Sequence, residues 1–477
     1  MKGEKAAPRW SYVNVVGDYL LGGANPAGDD RKVTASCQRL TVMNRHTGAV
    51  LWSATARQGF RNNSICAGGG RCYAIDRPTG ESKSLLKKIT EGSKPARLIA
   101  FDLKTGRPLW STSADVFGTW LSYSAKHDVI VEAGRYARDT LADEPKGMRA
   151  YRAADGKVLW FKDDYVGPAM LHGDVILKAG IKDGSACELL TGKPVLREDP
   201  LTGERIEWTW ARTYGCNTPS ASEHLLTFRS GAAGYFDLCH DGGTGNLGGF
   251  RSSCTNNLIV AGGLLTAPDY TRNCTCSYQN QTSAAFVPTD DAEMWTFFGA
   301  RDVKGIVKRV GVNLGAPGNR KADDGTLWLE YPTVGGPSPR LEITTVPAKP
   351  ETFRRHTSQV TGAGPSWVGA SGVRGLEKLT IRLGPDGSKP RPYTVRLHFA
   401  EPDKECAAGD RVFDVALQGK TVLRDFDIVA EAGAPLRGVV KEFKGVMVSK
   451  ELTVKLTPSE SARVSAAVLC GVEIVAE

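Results

Sequence analysis

The chain has 477 residues, enough for two or three domains that each bury a full core. No apolar run reaches the roughly 18–20 residues of a membrane span. The opening MKGEKAAPRW is basic without the hydrophobic stretch of a secretory signal, so it reads as a truncation point with an added start. A formal charge of +9 favours acidic surfaces, but the basic residues are interspersed with 52 acids and form no run with interleaved aromatics, which argues against a nucleic-acid partner.

Residues 10–23 (WSYVNVVGDYLLGG) predict a strand, a turn at Gly17 and Asp18, and a second strand. One sentence then recurs: LTVMNRHTGAVLW at 40–52, LIAFDLKTGRPLW at 98–110 and MRAYRAADGKVLW at 148–160. Copies without the Trp are CYAIDRPTG at 72–80, read as an extra hairpin inside a blade, and ELLTGKPVL at 188–196. In the copy at 98–110, apolar alternation predicts a strand, Thr105 and Gly106 a turn that tolerates positive φ, and Trp110 the end of a second strand. The turn glycines Gly48, Gly106, Gly156 and Gly192 recur at roughly the length of a four-stranded propeller blade. A lone blade cannot bury both faces, whereas blades stacked about an axis can. Trp52, Trp110 and Trp160 are expected to lie flat between adjacent blades, and Pro108 belongs on an outer edge strand because it lacks the ladder donor. From 10 to about 298 there is room for roughly six blades of about 48 residues.

These residues resemble the quinoprotein-like propeller repeats, whose signature is A-x-D-x-x-T-G-x-x-x-W. Ala100, Asp102, Thr105, Gly106 and Trp110 match it in full, while Val42 and Asn44 replace the Ala and Asp in the first copy and Arg152 replaces the Asp in the third. The resemblance implies a ring of six to eight blades, and the preferred reading is that N-terminal blades have been lost. Members of the family include dehydrogenases that hold pyrroloquinoline quinone on the axis and cofactor-free scaffolds of outer-membrane assembly. The repeat does not choose between them.

Residues 216–282 are the least generic part of this half. The run at 243–248 formally matches G-x-G-x-x-G, but it opens no helix and sits in no βαβ unit, so it reads as a glycine-rich crossing loop rather than a dinucleotide site. The polar runs 248–257 and 270–281 resemble a block found in propellers of planctomycete-type bacteria. Cys216, Cys239, Cys254, Cys274 and Cys276 all lie in this stretch. On a strand, Cys274 and Cys276 point the same way, which suits two different partners. Cys216 and Cys254 are the expected partners, with Cys239 left over, and this implies an oxidising compartment. A zinc site using these thiols and His240 is the rival, weakened by the absence of the C-x₂₋₄-C pairs of structural zinc.

After a mixed linker, residues 393–402 (YTVRLHFAEP), 409–433 and the C-terminal stretch alternate with period 2, and the QGK at 418–420 makes a hairpin turn. Such strands have one buried and one wet face and belong to a sandwich. This half resembles the malectin domain, a jelly-roll carbohydrate-binding module, on LHFAE, RVFDV, FDI and the terminal GVEI. The resemblance implies a carbohydrate held by aromatic rings and acidic groups in loops at one end, although the loop residues do not align one by one. Sugar binding needs a flat apolar surface and hydrogen-bonding groups. Trp328, Tyr331 and Trp367 lie in Gly/Pro-rich loops with Asp323, Asp324 and Glu330 close by, and these six are the candidate carbohydrate site. The alternative is that Trp328 and Trp367 fill the core or pack this half against the propeller. Asp414 and Asp427 read as structural hydrogen-bonders.

No G-x-S-x-G, H-E-x-x-H, C-x-x-C-H or P-loop is present, and the histidines are scattered. A quinone dehydrogenase would also need adjacent cysteines, a calcium ion and an axial Asp base, and no Cys-Cys pair exists. The sequence therefore predicts an all-β chain: a PQQ-like propeller at 1–298, a linker at 299–308 and a malectin-like jelly roll at 309–477. The expected function is non-catalytic carbohydrate binding outside the cytoplasm, with no cofactor and with the propeller as scaffold or protein-docking surface. The alternatives are a quinone- and calcium-dependent oxidoreductase and a structural cell-surface protein.

Overall fold

A computed structural model describes residues 8–26, 36–77, 94–134, 146–179, 183–215, 218–252, 258–268, 283–289 and 292–477. The repeated turn shows why its sentence is written as it is. Strand Arg97–Asp102 pairs antiparallel with Pro108–Thr112. Between them the Asp102 carboxylate accepts from the Thr105 N–H and hydroxyl at 2.8 Å each, and the Gly106 N–H closes onto the Asp102 carbonyl at 2.9 Å. These donors favour the charged form and hold the Asp102 carboxyl below the usual carboxylate range. The same closure recurs at Gly48 onto Asn44, Gly156 onto Arg152 and Gly192 onto Glu188, each glycine at positive φ.

Positive φ is only half of the reason for glycine. A Cβ on Gly106 would stand 2.6 Å from Cδ2 of Trp52, one on Gly156 2.7 Å from the Trp110 ring, and one on Gly192 2.8 Å from the Trp160 ring. Each indole N–H then donates to a backbone carbonyl three residues before that glycine: Trp52 to Leu103 at 2.9 Å, Trp110 to Ala153 at 3.0 Å and Trp160 to Leu189 at 2.8 Å. Every Trp is thus seated on the turn of the next repeat. A fourth seam follows the same plan without glycine. Trp208 donates to the carboxylate of Asp241 at 3.1 Å, and Asp241 itself adopts φ +52 in the turn that follows Ala232–Asp237.

The first seven strands run as one antiparallel ladder from Arg9–Val16 to Pro108–Thr112. They nonetheless form two blades, because the long strand Val50–Gly68 is the outer strand of the first and the inner strand of the second. Its pairing slips between Phe60 and Ile65, where it passes from one to the other. The hairpins bearing Trp52 and Trp110 are therefore joined by hydrogen bonds as well as by indole packing. Strand Arg71–Asp76, where the copy at 72–80 begins, pairs directly with Arg97–Asp102, while Gly80 lies outside the described residues.

Two further four-stranded blades span Trp120–Ser124 to Val158–Lys162 and Ala169–His172 to Thr209–Ala211. The next begins at Ser220–Ala221 and gains Thr296–Phe297 as a fifth strand, and Ile259–Ala261, Leu264–Ala267 and Ala284–Phe286 make a three-stranded sheet. Successive inner strands touch one another, as blades arranged about an axis require. In this series Thr244–Asn246, inside the G-x-G-x-x-G match, is a strand between Ala232–Asp237 and Thr296–Phe297, and no helix follows it among the described residues. Cys216, Cys254, Cys274 and Cys276 lie outside the described residues, and Cys239 is an exposed free thiol.

The second half is a sandwich of a seven-stranded sheet, centred on Arg309–Leu314, Gly471–Ala476 and Arg391–Ala400, and a five-stranded sheet containing Glu451–Pro458 and Val412–Leu417. Val395, Leu397, Phe399, Phe413, Val415 and Leu417 share one buried cluster, as their period-2 spacing dictates. Asp414 accepts from the Asp425 N–H at 2.8 Å, and Asp427 caps the helix Ile428–Ala432 through the Ala430 N–H. The stretch at 299–308 packs along this half. Arg301–Asp302 pairs with Pro339–Arg340, and Val307 enters the sandwich core together with Leu201 from a propeller hairpin. The Leu201 carbonyl accepts from the N–H groups of Lys308 and Arg309 at 2.7 and 3.1 Å, and Arg301 pairs with Asp199 one turn away.

The seam geometry predicts unequal costs at two glycines with the same backbone. Gly48 has φ +73 and Gly106 φ +74, but nothing lies within 4 Å of a Cβ on Gly48. Gly48→Ala should cost about 1 kcal/mol from backbone strain alone. Gly106→Ala adds overpacking against Trp52 and should cost about 1–3 kcal/mol more. Urea-denaturation midpoints of the two variants check this.

Candidate functional site

The six residues chosen for a sugar site are divided by the fold. Trp328 sits on strand Leu327–Tyr331, directly across from Gly311, where a Cβ would lie 2.1 Å from its ring. Only 2% of it is exposed. It fills the sandwich core and offers no face to a ligand, which corrects the expectation for this residue. Glu330 is 3% exposed, and its Oε2 accepts from the N–H groups of Val334 and Gly335 at 2.9 and 2.7 Å. It clamps the following loop, so its assignment as a ligand group is also corrected. Burial outweighs these donors and raises its carboxyl above the usual range.

Tyr331 is half-buried against the same core. Asp323 and Asp324 are exposed in the turn after Arg320–Lys321. Asp324 is spent on its own turn, accepting from the Thr326 N–H and hydroxyl at 2.9 Å each. Trp367 is likewise half-buried, on the short helix Ser366–Gly369, held by Asn313, whose amide donates to the Trp367 carbonyl at 3.4 Å.

Trp367 packs this half against the propeller, the alternative reading of its position in the sequence. Trp295, from the segment that leads into the propeller's Thr296–Phe297 strand, stands edge-on to it with ring centroids 6.3 Å apart at 84°. Behind Trp367 lie Trp328, at 5.5 Å and 87°, and then His398, 5.1 Å from Trp328. The row runs from the surface of the junction into the core. Arg320 places its guanidinium 5.0 Å from the Trp367 ring, and Asp323 and Glu293 supply opposite charge around it. Thr296 and Asn319 exchange both backbone hydrogen bonds, at 2.9 and 2.8 Å, and Glu293 accepts from the Thr357 N–H at 2.7 Å. The junction is therefore a hydrogen-bonded seam carrying two half-buried indoles, one from each half, with an Arg and two acids beside them. In the sequence Trp295 lies in the stretch 294–298 expected to close the propeller, with nothing to mark it as part of a site. Arg320 carried no signal.

Among the described residues no three His, Cys, Asp or Glu side chains converge to hold a metal ion. Cys239 stands 3.0 Å from Nδ1 of His224, while His240 turns to Asp237 at 2.9 Å.

With the geometry in view, the comparisons divide the chain in the same way. Residues 38–195 match the family model for the outer membrane protein assembly factor BamB, and residues 388–466 match that of the malectin domain. The chain joins a BamB-type propeller segment to a malectin domain. A probable LRR receptor-like serine/threonine-protein kinase of Arabidopsis thaliana is 42% identical over 69 residues, which is 13% of this chain and 7% of that protein. Receptor-like protein 4 of the same plant is 40% identical over 81 residues, 17% of this chain and 13% of the relative. The chain thus spans only a small part of these relatives. Among solved structures, BamB from Moraxella catarrhalis is similar at 13% identity and TM-score 0.34 over 55% of this chain and 72% of that one. The ANX2 ectodomain from Arabidopsis thaliana is similar at 15% identity and TM-score 0.28 over 45% and 64%.

Within the malectin domain His398 is buried, its Nε2 has no hydrogen-bond partner among the described residues, and burial depresses its pKa from 6.5 to about 4. The folded state therefore prefers the neutral ring. That preference contributes fully above the unfolded value near 6.5 and is lost as pH falls toward about 4. Acidification across this window should remove up to about 3 kcal/mol of stability. In His398→Leu the slope of urea stability against pH between these limits should flatten.

Proposed function

We propose that this chain is a non-catalytic binding protein that works outside the cytoplasm, its malectin domain taking carbohydrate and its propeller serving as scaffold or protein-docking surface. The observation that carries the reading is the pair of half-buried indoles, Trp295 and Trp367, beside Arg320 and Asp323 in a chain with a malectin-domain match. Perpendicular rings offer two apolar walls for the C–H faces of a sugar, and the charged groups offer partners for its hydroxyls. Docking by the propeller is supported by its first strand, where Trp10 is 60% and Val13 73% exposed. No helix among the described residues is long and apolar enough to cross a membrane.

A glycan-binding screen on the full chain tests the carbohydrate reading. A neutral oligosaccharide should bind, and Trp295→Ala and Trp367→Ala should each weaken it by about tenfold or more while the circular-dichroism spectrum is kept. A blank screen, with a protein recovered by pull-down instead, would favour the structural cell-surface alternative.

The extracytoplasmic placement also proposes that Cys216, Cys254, Cys274 and Cys276 are paired in disulfides. Seven of the eleven cysteines are free thiols. Unfolding without reductant should then release seven titratable thiols, and reductant should raise the count to eleven. Eleven thiols before reduction would remove the disulfides and with them this argument for the compartment.

A further inference from the structure

A cavity of about 510 Å³ opens between the third and fourth blades of the propeller, within the size range of small-molecule sites. It is built by the segment leaving strand Val158–Lys162 and by the ends of strands Val175–Ala179, Asp183–Glu188 and Thr209–Ala211. Its buried wall carries one charge, Lys178, which is 8% exposed. The Lys178 ammonium stands 3.2 Å above the centre of the Tyr165 ring, and that ring is fixed by a 2.7 Å hydrogen bond from its hydroxyl to the Gly192 carbonyl.

Among the described residues no oxygen stands within hydrogen-bond distance of this ammonium, and burial pulls its pKa down although Cys187, Asp164 and Glu207 oppose the shift. An ammonium has three N–H donors, and a π face satisfies them poorly. The outer wall differs: Asp164, Asp183 and Glu207 are exposed acceptors there, with Lys162 beside them.

We propose that this cavity binds a sugar acid, with the ligand carboxylate on Lys178 and its ring hydroxyls donating to Asp164, Asp183 and Glu207. The arrangement selects for both features at once. A neutral sugar offers this ammonium only uncharged hydroxyl oxygens, which make weaker hydrogen bonds to it than a carboxylate does. A small anion lacking hydroxyls reaches Lys178 past three carboxylates to which it donates nothing. The site belongs to the propeller and is independent of the proposed glycan site at the junction.

Isothermal titration of the full chain with D-glucuronate, D-glucose and acetate tests this. Glucuronate should bind about tenfold or more tightly than either of the others, and Lys178→Met should weaken it by about tenfold or more. Because Lys178 is buried, thermal melting must first show that the variant folds. If it does not, the exposed variants Asp183→Asn and Glu207→Gln decide, and each should weaken glucuronate severalfold. Glucuronate that fails to bind, or that binds Lys178→Met and the rim variants as well as the parent, overturns the proposal. So does binding lost in Trp367→Ala but kept in Lys178→Met, which would put the acid at the junction. A neutral glycan bound at the junction should be unaffected by Lys178→Met, so the two sites fail separately.

Discussion

Propeller order in this protein rests on an indole pressed against a turn that has no Cβ. The contact combines a large apolar area with one N–H that would be costly to bury unpaired, and the backbone carbonyl three residues before the glycine satisfies it. Its direction is fixed: each blade gives its Trp forward and offers its turn backward. Because the acceptor is main chain, the side chains around the glycine are free to differ. Asn44, Asp102, Arg152 and Glu188 occupy the same place in four copies and close the same hydrogen bond.

The second half is attached by the same kinds of force used once each. A backbone exchange joins Thr296 to Asn319, a buried leucine from the propeller enters the sandwich core, and Arg301 meets the nearly buried Asp199. These contacts bring Trp295 and Trp367 together, so the candidate glycan surface is a product of the junction and not of the malectin domain alone. Behind it, the row through Trp328 to His398 ties that surface to the core.

The fold was legible because its signals are local and periodic. Gly106 and Trp110 belong to one hairpin, and alternation from Val395 to Phe399 belongs to one strand. The site was less legible because its determinants are not local. Trp328 and Trp367 look alike in sequence, each an aromatic among glycines, and what separates them is the neighbour each meets. Gly311, on a parallel partner strand, draws Trp328 inside, while Trp367 meets a propeller residue more than seventy positions earlier in the chain. Glu330 reads as a ligand until Val334 and Gly335 are seen to fold back onto it. Lys178 hides inside VILKA, a strand whose letters carry no hint of a cavity.

Asp241 is where the repeat departs furthest from its own rule, and it has two attachments. One carboxylate oxygen receives the Trp208 indole of the neighbouring blade, and the other pairs with Arg197 on the hairpin whose tip carries Leu201. A residue earlier, the His240 carbonyl accepts from Lys321 of the second half of the chain at 3.0 Å. One turn is thus pinned to a sister blade, to the docking hairpin and to the far half of the chain. Because Trp208 directly follows the hairpin strand that pairs with Arg197, swivelling of the second half away from this turn has to break the Lys321 link while the indole and the Arg197 pair hold the turn to its neighbouring blade.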